Sequence, residues 1–298
     1  MSWLDRQSFL GSESDKVLNA LTVGLVGLGG GGSHVAQQLA HVGVGNFVVL
    51  DNDIISETNL NRLVGGTRKD VDSGLSKVAI AERVIQSVNP AATVEKHSVV
   101  WQQASEALKR CDVVIGGLDN VRSKYELDAF TRRFMIPYID MGMDVHRLGE
   151  NDYLIAGQVV LTGPGEPCLQ CLGIVTEAAL TAEARKYGDA GGNPQVVWPN
   201  GLLASIAVGL LVQLVSPWKK ECMTSAFIEY DGNLNITREA ARWRRCRERQ
   251  CPHYQIADVG DPTFDFRKVN QTAVAPEKGS DPQPDSWWMR FLKRIKNL

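Results

Sequence analysis

The sequence predicts an α/β fold, a doubly wound and mainly parallel sheet, on three observations. Short apolar runs alternate with segments of helical periodicity, a Gly-rich turn joins the first run to the first helix, and the second run ends in an aspartate. Alternation of this kind places helices on both faces of a parallel sheet and ligands at the carboxyl ends of its strands.

Residues 22–27 (TVGLVG) are a continuous apolar run ending in glycine, and residues 33–42 space their apolar side chains as one helix face does. The run at 46–51 (NFVVLD) closes a βαβ unit, whose short helix demands a parallel, right-handed crossover. The unit then repeats. Residues 75–88 predict a helix, 92–97 and 112–116 (DVVIG) strands, 121–134 a helix and 137–141 (PYIDM) a strand. The Rossmann-like sheet is expected to continue in antiparallel strands at 153–162 and 225–230, flanking an apolar helix at 201–215. From about 257 hydrophobic density drops while Pro, Asp and Gly accumulate. The expected organisation is one domain over 1–256, a polar linker over 257–286 and a tail helix over 287–298. In that tail Trp287, Trp288, Phe291, Leu292, Ile295 and Leu298 share an arc of about 140°, opposite Arg290, Lys293, Arg294 and Lys296. Such a basic amphipathic helix suits docking on a protein surface better than lone anchorage in lipid.

Of the 298 residues, 44% are hydrophobic and 22% charged, enough to bury the core of one large domain. The formal net charge of -2 gives no global field to recruit nucleic acid. The N-terminus MSWLDRQSFL lacks a signal-peptide layout, and no uninterrupted apolar run reaches membrane-span length, so a cytoplasmic location without stable membrane insertion is expected. Six cysteines, two of them in a C-x-x-C, suit a metal site in a reducing compartment better than a disulfide framework.

Gly27, Gly29, Gly30 and Gly32 follow the first strand and open a helix, so backbone amides and a helix N-terminus can face a phosphate. Asp51 stands 19 residues beyond Gly32, where a carboxylate can bond ribose hydroxyls. These features alone would suggest a dinucleotide. Residues further along the chain change the ligand: Asp53, Asn59 and Arg62, then Lys77 on a helix, then Asp119 and Asn120 after a strand. Hydride transfer has no use for two cations and a spare acid. Attack of a carboxylate on an α-phosphate needs Arg and Lys to offset developing charge and an acid to hold Mg2+.

At this point the chain closely resembles the ThiF/MoeB/HesA-type adenylyltransferases, the bacterial relatives of ubiquitin-activating enzymes, over roughly residues 5–255. The matching motifs are Arg6-Gln7, G-x-G-G-x-G at 27–32, D-x-D at 51–53, N-L-x-R at 59–62, Lys77 and the D-N at 119–120. The resemblance implies ATP as cofactor, Asp51 at its ribose, Asn59, Arg62 and Lys77 at its phosphates, and Asp119 at magnesium. It also implies that Arg6 reaches the partner subunit's site in a homodimer.

Cys168-Leu-Gln-Cys171 follows the turn sequence GPGEP, and Cys246 and Cys251 form a later pair with four residues between them. Four thiolates can close a tetrahedral structural zinc site that pins the C-terminal segment to the α/β domain. The family's pairs are usually both C-x-x-C, so the wider second pair leaves His253 as an alternative ligand for one of the later cysteines. Many relatives also carry a nucleophilic cysteine just before the apolar helix, where this chain reads Pro194-Gln-Val-Val197-Trp-Pro-Asn200-Gly201 and has none. Cys111 reads as core packing; Cys222 has Lys219 and Lys220 nearby but lies elsewhere, and Thr176, Thr181 and Ser205 lack a paired base.

The expected function is adenylation of the C-terminal carboxylate of a ubiquitin-fold protein, the acyl group passing to a carrier, conjugating enzyme or sulfur donor. Peptide or tRNA-borne carboxylates are alternative substrates, and an inert binding scaffold is the alternative class, against which intact Arg62, Lys77 and Asp119 argue. Six arginines from Arg238 to Arg249, around Trp243, could meet RNA but read better as a solvated face beside the metal site.

Overall fold

A computed structural model describes residues 3–185, 194–216, 218, 223–254 and 260. After a 3-10 turn at Asp5–Leu10 and helix α1 (Ser14–Ala20), the chain runs β1 (Thr22–Val26), α2 (Gly30–His41), β2 (Asn46–Leu50), α3 (Arg68–Ser73), α4 (Lys77–Val88) and β3 (Thr93–His97). It continues through α5 (Ser105–Leu108), β4 (Val113–Gly116), α6 (Val121–Arg133), β5 (Tyr138–Arg147), β6 (Tyr153–Thr162), α7 (Glu177–Arg185), α8 (Val197–Val215), β7 (Ala226–Asp231), β8 (Ile236–Glu239) and α9 (Ala241–Cys246).

The strands form one sheet in the order β3-β2-β1-β4-β5-β6-β7-β8. β1 is central to the parallel part, with Val23 beside both Phe47 and Val113, and β5 turns the sheet antiparallel by pairing with β6 over ten residues. Side chains alternate between two buried layers. Val23, Leu25, Phe47, Val49, Val113 and Ile115 enter the core under α2, α4 and α8, while Val26, Val48, Leu50 and Val114 enter the core under α6. A sheet buried on both faces needs such continuous apolar strands, which made β1, β2 and β4 legible; β3 (TVEKH), at the sheet edge, is partly exposed.

Several boundaries differ from expectation. β5 continues to Arg147 rather than ending near residue 141, because its antiparallel hairpin with β6 satisfies the extra backbone groups that a parallel strand would leave at the sheet's end. α8 begins at Val197, four residues early, with Pro199 at the third helical position where its missing N–H has no partner to lose. That helix, 19 residues long, is long and apolar enough to cross a membrane by length and composition; here half of it is buried, against α2, β5 and β6. α3 and β8 were not expected. α3 is announced by a Thr67/Asp70 capping box, and β8 is a four-residue edge strand with mostly exposed side chains and thus no apolar pattern. Cys222, most of the linker and the whole of the tail helix lie outside the described residues.

Candidate active site

A cavity of about 480 Å³ opens at the carboxyl ends of β1, β2, β4 and β5. Its floor is the Gly-rich turn. Gly27 has φ +86°, and a Cβ on Gly32 would fall 1.9 Å from the Gly27 carbonyl oxygen, so the turn closes against α2 only without side chains there. Gly29 faces open space, and Gly30 lies against the Asn200 side chain from α8.

Asp51, at the end of β2, accepts from the amides of Leu28 (2.7 Å) and Asp53 (2.9 Å). Burial raises its pKa, against the opposing pull of Lys77 and those two amides. Lys77, the first residue of α4 and 8% exposed, donates to Asp53 Oδ2 at 2.6 Å and lies 3.8 Å from Asp51 Oδ1. Arg62 Nη1 donates to the Thr58 carbonyl and to Asn61 Oδ1, and Asn59 Oδ1 accepts from Ser56 N, so local turns fix both side chains at the rim. Asn61 in turn donates to the Gln195 carbonyl, tying this arm to the segment that enters α8. Asp119 lines the cavity and makes no hydrogen bond or ion pair with the described residues, while Asn120 caps α6 by accepting from Ser123 N. Gly27, Gly29, Gly30, Asp51, Asp53, Asn59, Arg62, Lys77, Asp119 and Asn120 thus share one cavity; Gly32 packs behind it, and Arg6 is exposed on the first 3-10 turn and does not line it.

Two further residues were not singled out from the sequence. Lys124 of α6, 6% exposed, points its Nζ at both oxygens of Asp140 and at the Met141 carbonyl, all within 2.8 Å, and so locks the α6 N-terminus to β5 at the cavity floor. Glu183 of α7 accepts from the amides of Val121 and Arg122 at 2.8 Å each, filling the α6 N-terminus beside Asn120. Spacing from the D-N pair could have exposed Lys124, one helical turn on; nothing local announces Glu183, 62 residues away.

Away from the cavity, Cys168, Cys171, Cys251 and His253 bring four donor atoms within 4.8 Å of one another. The Cys171 sulfur lies 3.6 Å from those of Cys168 and Cys251, and His253 Nδ1 lies 3.3 Å from the Cys168 and Cys171 sulfurs. Tetrahedral ligation at zinc–sulfur lengths would place sulfurs about 3.8 Å apart, so the donor set fits. Cys246 is a correction: its thiol donates to the Cys171 carbonyl at 3.6 Å, outside the cluster, because α9 carries it to the back of the Cys171 loop while Cys251 and His253 follow beyond the helix end. The buried pair Arg132–Asp128 holds this loop: Arg132 donates to the carbonyls of Gly163 and Glu166 and to Thr162 Oγ1, and Asp128 accepts from Leu169 N. Of the nearby arginines, Arg242 donates to the Cys171 carbonyl and Arg244 pairs with Glu239, and Trp243 is buried.

Neither described thiol outside that group looks nucleophilic. Burial pushes the Cys111 thiol up to about 12, and Cys246 is bound as above. Thr176 lines the cavity, whereas Ser205 donates its hydroxyl to the Gly201 carbonyl inside α8. Val197, at the start of α8, is 42% exposed.

A model of the ThiF family matches residues 4–253, and the chain belongs to that family. It is 32% identical over 165 residues to the SAMP-activating enzyme E1 of Haloferax volcanii, covering 55% of this chain and 57% of that protein. It is 27% identical over 169 residues to ubiquitin-like modifier-activating enzyme 5 of Gallus gallus, covering 52% of this chain and 40% of that protein. The chain therefore spans about half the length of these relatives. Its fold is that of E. coli MccB, solved with ATP: TM-score 0.67, 18% identity, 86% of this chain and 74% of the other covered.

Proposed function

We propose that this ThiF-family chain is an ATP-dependent adenylyltransferase acting on the C-terminal carboxylate of a ubiquitin-fold protein. The observation that carries the reading is the gathering of Arg62, Lys77 and Asp119 around one Gly-floored cavity. Phosphates bind at the amides of the turn, with Lys77 and Arg62 offsetting the charge that builds on the α-phosphate as the carboxylate attacks and pyrophosphate leaves. Asp51 takes the ribose hydroxyls. Asp119, a carboxylate with no described partner, suits Mg2+, which would neutralise charge on the phosphates. Arg6, outside the cavity of its own chain, is read as serving a second copy in a cytoplasmic homodimer. Zinc at Cys168, Cys171, Cys251 and His253 would be structural, its four positions filled by protein.

The relative named as a ubiquitin-like modifier-activating enzyme supports the substrate class. With no cysteine at the start of α8, the acyl-adenylate passes directly to a thiol or other acceptor on a second protein. The test is ATP–pyrophosphate exchange with ubiquitin-fold proteins, short peptides and tRNA as separate additions, followed by a non-reducing gel. Exchange only with a ubiquitin-fold protein, without a reductant-sensitive adduct, is expected; exchange confined to peptides or tRNA would change the substrate class, and none at all would remove the activity. Mixing Arg6→Ala with Lys77→Ala protein should restore part of the exchange if Arg6 acts across a dimer.

A further inference from the structure

One wall of the cavity is a short stretch of chain that begins at the Cys/His cluster. Cys171 supplies a donor to the cluster, and two residues on Gly173, followed by Ile174, Thr176 and Ala179, lines the cavity. Gly173 makes a left-handed turn (φ +71°), with the Arg242 guanidinium packed where a Cβ would stand. Thr176 then opens α7, its hydroxyl accepting from Ala179 N at 3.1 Å. The stretch ends on Glu183, whose two oxygens accept from Val121 N and Arg122 N at 2.8 Å each.

The same helix, α6, thus meets this stretch at both of its ends. Asp128 holds the metal loop through Leu169 N at 3.0 Å, and the α6 N-terminus holds Glu183. The first turn of a helix leaves amides without intrahelical partners. Asn120 already caps α6 through Ser123 N, so Glu183 is not needed to start the helix; its two bonds fasten α7. At the other end, Arg242 and the Cys246 thiol hold the Cys171 carbonyl. The Cys171 sulfur meets that of Cys251, 80 residues away, at 3.6 Å, a contact that becomes a strong link only with a metal ion among the donors.

We propose that metal bound at the Cys/His cluster and nucleotide bound in the cavity strengthen one another through residues 173–183, with Glu183 as the latch. The metal fixes the stretch where it leaves Cys171, the nucleotide fills the space against Gly173, Ile174, Thr176 and Ala179, and both favour the arrangement in which Glu183 sits on α6. Ligands that favour one arrangement are coupled reciprocally: the factor by which zinc raises nucleotide affinity is the factor by which nucleotide raises zinc affinity. Zinc takes no part in the chemistry and yet sets a wall of the site. Glu183, outside the cavity lining, is a positioning residue that touches neither ligand.

The proposal rests on the nucleotide reading above, and zinc release from the full chain to a chromogenic chelator separates the two. Rates are measured on zinc-loaded protein with Mg2+, first without nucleotide and then with a saturating non-hydrolysable ATP analogue, whose binding is followed independently by displacement of a fluorescent nucleotide. Nucleotide should slow wild-type release by about fivefold or more, the lower end of coupling between sites. Glu183→Ala should still load zinc but release it at one rate in both conditions. Glu177→Ala, the same change of charge at an exposed position of α7, should keep the wild-type ratio. A merely structural role for Glu183 would speed release equally in both conditions; that unchanged ratio overturns the latch, as does loss of the ratio in Glu177→Ala. If Glu183→Ala does not fold, Glu183→Gln, which keeps one acceptor oxygen of the two, decides in its place: a ratio below wild type supports the latch and a full ratio overturns it. Wild-type release that is equal with and without bound nucleotide overturns the coupling and spares the nucleotide reading. Protein that binds no nucleotide overturns both, and a chain that takes up no zinc overturns the coupling alone.

Discussion

At the carboxyl ends of β1, β2 and β4 polar side chains are held ready but only partly used: Asp119 has no described partner, and Lys77 rests between Asp51 and Asp53 beside open space. Beside the Cys/His cluster the buried charge is spent on the protein itself: Arg132 bonds Asp128, two carbonyls and a hydroxyl. The difference separates a place built to receive charge from a place built to be filled. Substitutions should therefore cost activity without stability in the first region and stability before anything else in the second.

The largest effect belongs to the filled region. Asp128→Ala would leave Arg132, 2% exposed, as an unpaired buried charge, and should destabilise the protein by about 3–5 kcal/mol. Urea unfolding measures it. Pairing the change with Arg132→Met removes the stranded charge and should recover most of the loss; a single variant as stable as wild type would erase the contrast between the regions.

In the receptive region, Arg62→Ala, Lys77→Ala and Asp119→Ala should each slow pyrophosphate exchange by about a hundredfold or more, the scale of a lost transition-state charge contact. Melting temperatures of the Arg62 and Asp119 variants should move little. Near-normal exchange in all three would detach the chemistry from this cavity.

The same division governs what could be read from the chain. The receptive region is made of short motifs at strand ends, Gly27 to Gly32 and Asp51 to Arg62, whose spacing dictates their geometry, so apart from Arg6 and the packed Gly32 its expected members meet in one cavity. Lys124 and Glu183 escaped because each acts through a partner remote in sequence: Asp140 and the α6 amides. The cluster is assembled from segments some 80 residues apart, and spacing alone did not choose between Cys246 and His253. That choice depends on where α9 ends, which tertiary packing decides. Likewise β8 and the long end of β5 exist because neighbouring strands pair with them, not because their residues form an apolar pattern.

Cys246 offers a sharper cut within the filled region. Cys246→Ser removes a thiol that only bonds the Cys171 carbonyl and should cost no more than about 1 kcal/mol while leaving bound zinc unchanged; Cys251→Ser and His253→Ala should lose the metal. Metal analysis of purified protein decides, and zinc lost from the Cys246 variant but kept by His253→Ala would return the fourth ligand to Cys246.

The smallest effect concerns the scaffold that connects the two cations of the receptive region. Asp70 of α3 accepts from Arg83 on α4 through both oxygens, at 2.7 and 2.6 Å, and from Thr67 N and Oγ1, while Arg83 also donates to the Gly65 carbonyl. The pair thus fastens the stretch after Arg62 to the helix that begins with Lys77. The Arg83 hydrogen bonds hold the Asp70 carboxyl well below the usual carboxylate range, against its burial and with help from Thr67. A carboxyl whose folded pKa is depressed stabilises the fold above its unfolded pKa of about 4, and that contribution fades as pH falls below it. Arg83 is 47% exposed along its side chain, so solvent screens the pair and Asp70→Asn should cost only about 1 kcal/mol at pH 7. The gap between wild type and variant should then narrow from pH 4 downward, because the asparagine has no proton to gain. Urea midpoints for both proteins between pH 7 and pH 3 test this, and a gap that stays constant or widens with acid would show that the bond geometry, not the charge of Asp70, fastens the two segments.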